Sequence, residues 1–129
     1  MEKEFIPYEL ALRMKQLGFD EPCFGFHSKI HGLMMVKTSG SSSLYKDAGE
    51  CLAPTFSQAF RWFREKYDLY HVITIADLGK YETGNPDFQC AIYSKDPVLI
   101  TNMNKYNTYE EAELECLKKL IEIVESKTE

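Results

Sequence analysis

Two segments of this chain open in the same way: Pro54-Thr55-Phe56-Ser57-Gln58-Ala59 and Asn107-Thr108-Tyr109-Glu110-Glu111-Ala112. Thr, aromatic, polar, Gln or Glu, Ala is a capping box. The Thr hydroxyl accepts from the backbone N–H three residues on, and the Gln or Glu is expected to reach back to the Thr N–H. Two helix starts are thereby placed, and the apolar pattern after each start constrains the architecture.

After Thr55, residues Phe56, Ala59, Phe60, Phe63 and Tyr67 recur on one helical face, giving a helix from Phe56 to about Tyr67. After Thr108, the stripe Tyr109, Ala112, Cys116, Leu120 and Ile123 is widened by Leu117, Ile121 and Val124. This predicts a helix from Tyr109 to about Glu125, with a tail fraying over 126–129. Its apolar arc covers roughly half the circumference, more than one sheet face needs. Either a second element of the chain covers that edge or another chain does, and Leu114 at the margin and Ile121 are the candidate contacts with a second copy. The two stripes differ, one narrow and aromatic and the other wide and aliphatic, so the repeated cap is not an internal repeat.

An earlier helix is expected from Tyr8 to Leu17, where Pro7 suits the first turn and Gly18 the stop. Residues 23–27 and 33–36 read as strands, 70–76 and 88–94 as a hairpin, and 98–100 as a short strand or tether. The order α-β-β-α-β-β-(β)-α predicts an α+β fold. It has a mostly antiparallel sheet of three to five strands packed with three helices. At 129 residues the chain is expected to form a single domain, 1–129, interrupted by a flexible loop over 38–49. Ser39-Gly40-Ser41-Ser42-Ser43 in that loop lacks the Lys-Ser or Lys-Thr of a phosphate-binding loop.

The net charge of −5 weighs against phosphate tracking of nucleic acid. No stretch approaches the roughly 20 apolar residues of a membrane span. The acidic start Met1-Glu2-Lys3-Glu4 does not read as a secretory signal. A cytoplasmic chain is expected, and its four scattered cysteines then read as thiols.

Motifs with chemistry are few. Cys23-x3-His27-x3-His31 has ligand types suited to zinc. On a straight strand, however, residues four apart lie about 13 Å from each other. No metal and no cofactor is expected. The acids Glu110, Glu111 and Glu113 suit the positive end of the helix dipole. Arg61 and Arg64 share one flank of the middle helix and Trp62 the opposite flank, a composition typical of partner-binding surfaces. If Trp62 instead covers the sheet edge, the arginines are merely solvated.

Three blocks carry a resemblance: Gly18-Phe19-Asp20-Glu21-Pro22-Cys23-Phe24-Gly25, then Leu52 to Thr55 with Gln58 to Tyr67, and Tyr109 to Leu114. They resemble a family of small uncharacterised proteins of gut anaerobes and their phages and mobile elements, to which no activity is assigned. Ser57 stands where that family usually has Gln, and His27 where an aromatic is expected. The resemblance implies an accessory protein of a mobile element. The leading expectation is a non-enzymatic interaction module with a protein partner or self-association. The alternative is a small hydrolase or nucleic-acid-processing enzyme with a site near His27 and His71.

Overall fold

A computed structural model describes residues 4–23, 25–28, 32–35, 51–77, 87–95 and 99–127. The expected 38–49 loop, His31, most of the 79–87 turn and residues 128–129 lie outside these. The fold is α+β, with three helices and two antiparallel sheets of three strands each among the described residues. Strand pairing produces two sheets where one was expected. The chain divides into two compact units, the first running to Ala59 and the second spanning Phe60–Lys127. Among the described residues, no helix is long and apolar enough to cross a membrane.

In the first unit, α1 (Tyr8–Gln16) buries Leu10, Ala11 and Met14 along one stripe. Its end is a Schellman motif. Gly18 takes φ +103°, the Gly18 N–H bonds the Lys15 carbonyl at 3.0 Å and the Phe19 N–H bonds the Met14 carbonyl at 3.0 Å. Strands β1 (Gly25–Ser28), β2 (Gly32–Met35) and β3 (Cys51–Ala53) form a sheet in the order β2-β1-β3, and α1 packs on β3. Just past the end of β3, Thr55 bridges Phe5 and the Ile6 N–H bonds the Pro54 carbonyl at 3.0 Å. Gly25 permits this close packing. A Cβ there would sit 3.1 Å from the Phe5 ring and 3.3 Å from the Met34 carbonyl oxygen.

Helix α2 (Phe56–Tyr67) begins as the capping box predicts: the Gln58 N–H bonds Thr55 Oγ1 at 3.2 Å. The reciprocal half differs. Gln58 Nε2 donates instead to the Pro22 carbonyl at 2.9 Å, tying the helix start to the lead-in of β1. Helix α2 stops at Asp68, which takes the left-handed φ of 55° and turns the chain directly into the next strand.

In the second unit, β4 (Leu69–Asp77), β5 (Asp87–Ser94) and β6 (Leu99–Tyr106) form a sheet in the order β4-β5-β6. The β4–β5 register runs unbroken from Leu69↔Ser94 to Ile75↔Phe88. The β5–β6 register is shifted twice, between Phe88 and Cys90 and between Ile92 and Tyr93. Helix α3 (Tyr109–Lys127) packs on all three strands and is capped by the Glu111 N–H bond to Thr108 Oγ1, 3.1 Å. Here Glu111 reaches back, but to the N–H of Asn107 at 3.3 Å. Helix α3 continues to Lys127, so Ser126 and Lys127 are helical where fraying was expected.

Candidate functional site

Each sequence-derived candidate among the described residues has a definite place. His27 sits on β1, buried, with Nε2 donating to the Ile6 carbonyl at 2.9 Å and its ring edge-on to Tyr8 at 5.7 Å. Cys23 donates its thiol to the Glu21 carbonyl at 3.2 Å. Burial first, and then the Glu21 carboxylate, push the Cys23 pKa up to about 12, against a hydrogen bond from Gln58. Thiolate is the metal-binding and nucleophilic form, so this cysteine is held in its inert state. Among the described residues, no group of three His, Cys, Asp or Glu is arranged to hold a metal ion.

His71 lies on β4 in the second unit, stacked on Phe60 of α2. Burial, with a smaller contribution from Arg64, lowers its pKa to about 4. It is neutral at physiological pH and serves as an aromatic packing surface. His27 and His71 are thus each committed to local contacts within separate units.

Arg61 is exposed and makes an i,i+4 contact with Glu65, 3.4 Å. Arg64, three residues on, is half-buried on the same flank. Of the two readings of Trp62, exposed anchor or inward cover, the structure has the second: Trp62 is only 5% exposed, which corrects its place in the partner-binding set. Its indole packs edge-on against Phe63 and Tyr67, and the Lys66 ammonium lies 5.1 Å from its centroid. Aromatic neighbours and the lysine stem thus cover the flank that helical geometry alone assigns to solvent.

The centre of the wide arc of α3 is also buried within the chain. Leu117, Leu120, Ile121 and Val124 have no exposed surface, Leu114 and Ile123 are half-buried, and Tyr109 at the helix start is exposed. Ile121 therefore offers nothing to a second copy, a correction to the candidate contact pair. The helix lies across three strands, and that breadth accounts for the arc. Beneath it, Cys90 of β5 and Cys116 of α3 are fully buried and hydrogen-bonded to each other. That bond and burial raise the Cys116 pKa well above the ordinary thiol range.

Two features were not anticipated. The first is a pocket of about 230 Å³ in the first unit, between α1 and β3, lined by Ala11, Lys15, Phe19, Asp20, Cys51 and Leu52. Its thiol is raised by burial, with Lys15 opposing, and so is a poor nucleophile at neutral pH. The second is the sheet face opposite α3. The register places Tyr70, Val72 and Thr74 of β4 beside Gln89, Ala91 and Tyr93 of β5, and Leu99 and Asn102 of β6 beyond them. Val72 is 42% and Leu99 48% exposed, and Gln89 Nε2 donates to Asn102 Oδ1. None of these eight side chains is charged. The signal in the sequence was the presence of apolar residues at both parities of β4. Comparison with family models, curated proteins and solved structures finds no match to this chain.

Proposed function

We propose that this chain is a cytoplasmic accessory protein of the phage or mobile-element type, a non-enzymatic module that acts by binding protein. The observation that carries the reading is the solvent-facing side of the β4-β5-β6 sheet, whose eight central side chains carry no charge, with Asp87 at one end of the same face. It combines apolar side chains (Val72, Leu99), tyrosines (Tyr70, Tyr93) and a self-paired amide couple (Gln89, Asn102). Aromatic and aliphatic side chains depleted of charge are the composition of the centre of a protein interface. None of these eight described side chains is Lys or Arg, which disfavours a nucleic-acid strand, since that needs phosphate contacts as well as stacking.

A small hydrolase or nucleic-acid-processing enzyme built on His27 and His71 is the weaker reading. The first imidazole is tied to a backbone carbonyl and the second is pressed on a phenyl ring. A base must instead reach the proton it abstracts.

The test is capture by a tagged chain, compared with its Leu99→Lys and Asn102→Lys variants. Both positions are exposed, so both variants should melt as the parent does. A specific protein retained by the parent and lost from both folded variants supports the reading. Equal retention by all three moves the interface off this face.

A further inference from the structure

The four cysteines of the chain differ in what their sulfurs meet. In the first unit, Cys23 donates to the Glu21 carbonyl and Cys51 lines the pocket beside α1. In the second unit, Cys90 and Cys116 meet each other: both side chains are fully buried, and their thiols share a hydrogen bond. A buried cysteine packs as a small apolar side chain, and what two of them add at one contact is chemistry.

The fold explains why they meet. Cys90 stands on β5, the central strand of its sheet, on the side shared with the fully buried Ile92. Helix α3 packs on this strand more extensively than on β4 or β6. Cys116 follows Ala112 by one turn, and both are buried on the face of α3 turned to the sheet. Two small side chains in succession let the helix backbone come close to β5. The thiols therefore converge from a helix and a strand, and convergence of the two side chains is the condition for a bridge. Replacing the hydrogen bond by a covalent one asks the sulfurs to approach by under about 2 Å.

We propose that Cys90 and Cys116 form a redox-active dithiol, which hydrogen peroxide converts into a disulfide that locks α3 to β5. One sulfur attacks a peroxide oxygen. It becomes a sulfenic acid as the O–O bond breaks and one water leaves. The other sulfur then attacks the sulfenic sulfur. The S–S bond forms, the S–O bond breaks, and the hydroxyl leaves with the remaining thiol proton as a second water. Two electrons pass from the sulfurs to the peroxide. A small neutral oxidant reaches the pair when α3 parts from the sheet, and closure of the helix brings the sulfurs together, so the bond forms slowly. In the cytoplasm proposed above, thiols are kept reduced, and the bond marks an episode of oxidation. The bridge encloses β6 and the first turns of α3 in one covalent loop. Such closure restricts the unfolded chain, so the oxidised second unit opens less often than the reduced one. The bridge lies on the side of β5 away from Gln89, Ala91 and Tyr93, and it does not depend on what the open face binds.

The test exposes the folded, reduced chain to hydrogen peroxide, blocks the remaining thiols and reads the peptides by mass spectrometry without reduction. One linked pair, Cys90 with Cys116, should appear within a single chain. The melting temperature should rise by about 5 to 15 °C, and dithiothreitol should reverse both changes. Reversal separates the bridge from methionine oxidation, which dithiothreitol does not undo. Cys116→Ala should show no reversible rise, and the linked peptide of the parent decides the question even if that variant fails to fold. Pairing through Cys23 or Cys51 overturns the proposal. So does linkage between chains, recovery of both thiols unchanged, or oxygen addition at Cys90 and Cys116 without a bridge. A bridge that lowers the melting temperature overturns it too, because the helix would then be strained and not locked.

Discussion

The imidazole of His71 lies flat on the ring of Phe60, with centroids 3.7 Å apart and planes 12° from parallel. Stacking of this kind favours the neutral ring, because protonation would place a charge in a desolvated contact beside Arg64. Burial first, and Arg64 second, lower the pKa from 6.5 to about 4. The unfolded chain therefore binds the proton more readily than the folded one. Stability should be level above about pH 6.5 and fall as pH drops toward 4. The loss attributable to this group is about 2 kcal/mol, allowing for solvent screening of a part-exposed ring. Urea midpoints at pH 7.5 and 4.5 check it. His71→Phe should lose less stability over that interval than the parent, and equal losses would show that the ring does not titrate as stated.

The two helix caps differ in how completely they are made. Thr55 and Thr108 each receive one backbone N–H, but only Glu111 reaches back to an N–H at its own helix start. Thr55→Ala and Thr108→Ala should each cost about 1 kcal/mol. Glu111→Ala should cost a few tenths to about 1 kcal/mol, combining the lost hydrogen bond with the lost charge near the helix N-terminus. Gln58→Ala should act elsewhere, loosening the tie to Pro22 and leaving the start of α2 capped. Thermal melts read the costs. Amide exchange at residues 56–59 separates the last variant from the first.

These caps also mark what the sequence could reveal. The threonine signal and the apolar spacing are local, and Phe56–Tyr67 follows from them at both ends. Strand β3 was missed because three residues, Cys51–Ala53, become a strand only by pairing with β1, and no local pattern announces a partner so far away. The division into two sheets escaped notice for the same reason. Trp62 and Ile121 failed differently. Helical geometry gives the direction of a side chain but not what waits there, and both directions are occupied. The open face of the second sheet was half-legible, since Tyr70 and Val72 alternate with Leu69, His71 and Ile73, yet only the register shows which parity is open.

Gly25 offers a sharper test of packing. A Cβ there would meet the Phe5 ring at 3.1 Å and the Met34 carbonyl at 3.3 Å, one neighbour movable and the other backbone. Gly25→Ala should therefore destabilise by about 1 to 2 kcal/mol, as overpacking does. Phe5→Leu in the same background should recover part of that loss, because it removes the closer contact. Urea denaturation of both single variants and the double variant gives the coupling. Additive costs would mean that the ring is not what resists the methyl group.

The four cysteines are all buried thiols, and their surroundings rank them. Cys51 lines the pocket of about 230 Å³, and Lys15 partly offsets the effect of burial on its thiol. Cys23 is pushed up to about 12 and donates to a local carbonyl. Cys90 and Cys116 have no exposed surface and share a hydrogen bond beneath α3. Alkylation follows the product of thiolate fraction and access. At pH 8, iodoacetamide should modify Cys51 first and Cys23 more slowly. Cys90 and Cys116 should react only through an opening that frees α3 from the sheet, and hence together. Peptide mass spectrometry over time reads the order. Adding sub-denaturing urea should accelerate the last pair far more than Cys51. If Cys90 and Cys116 reacted at different rates, or ahead of Cys51, the seal that α3 makes over β5 would be looser than its packing implies.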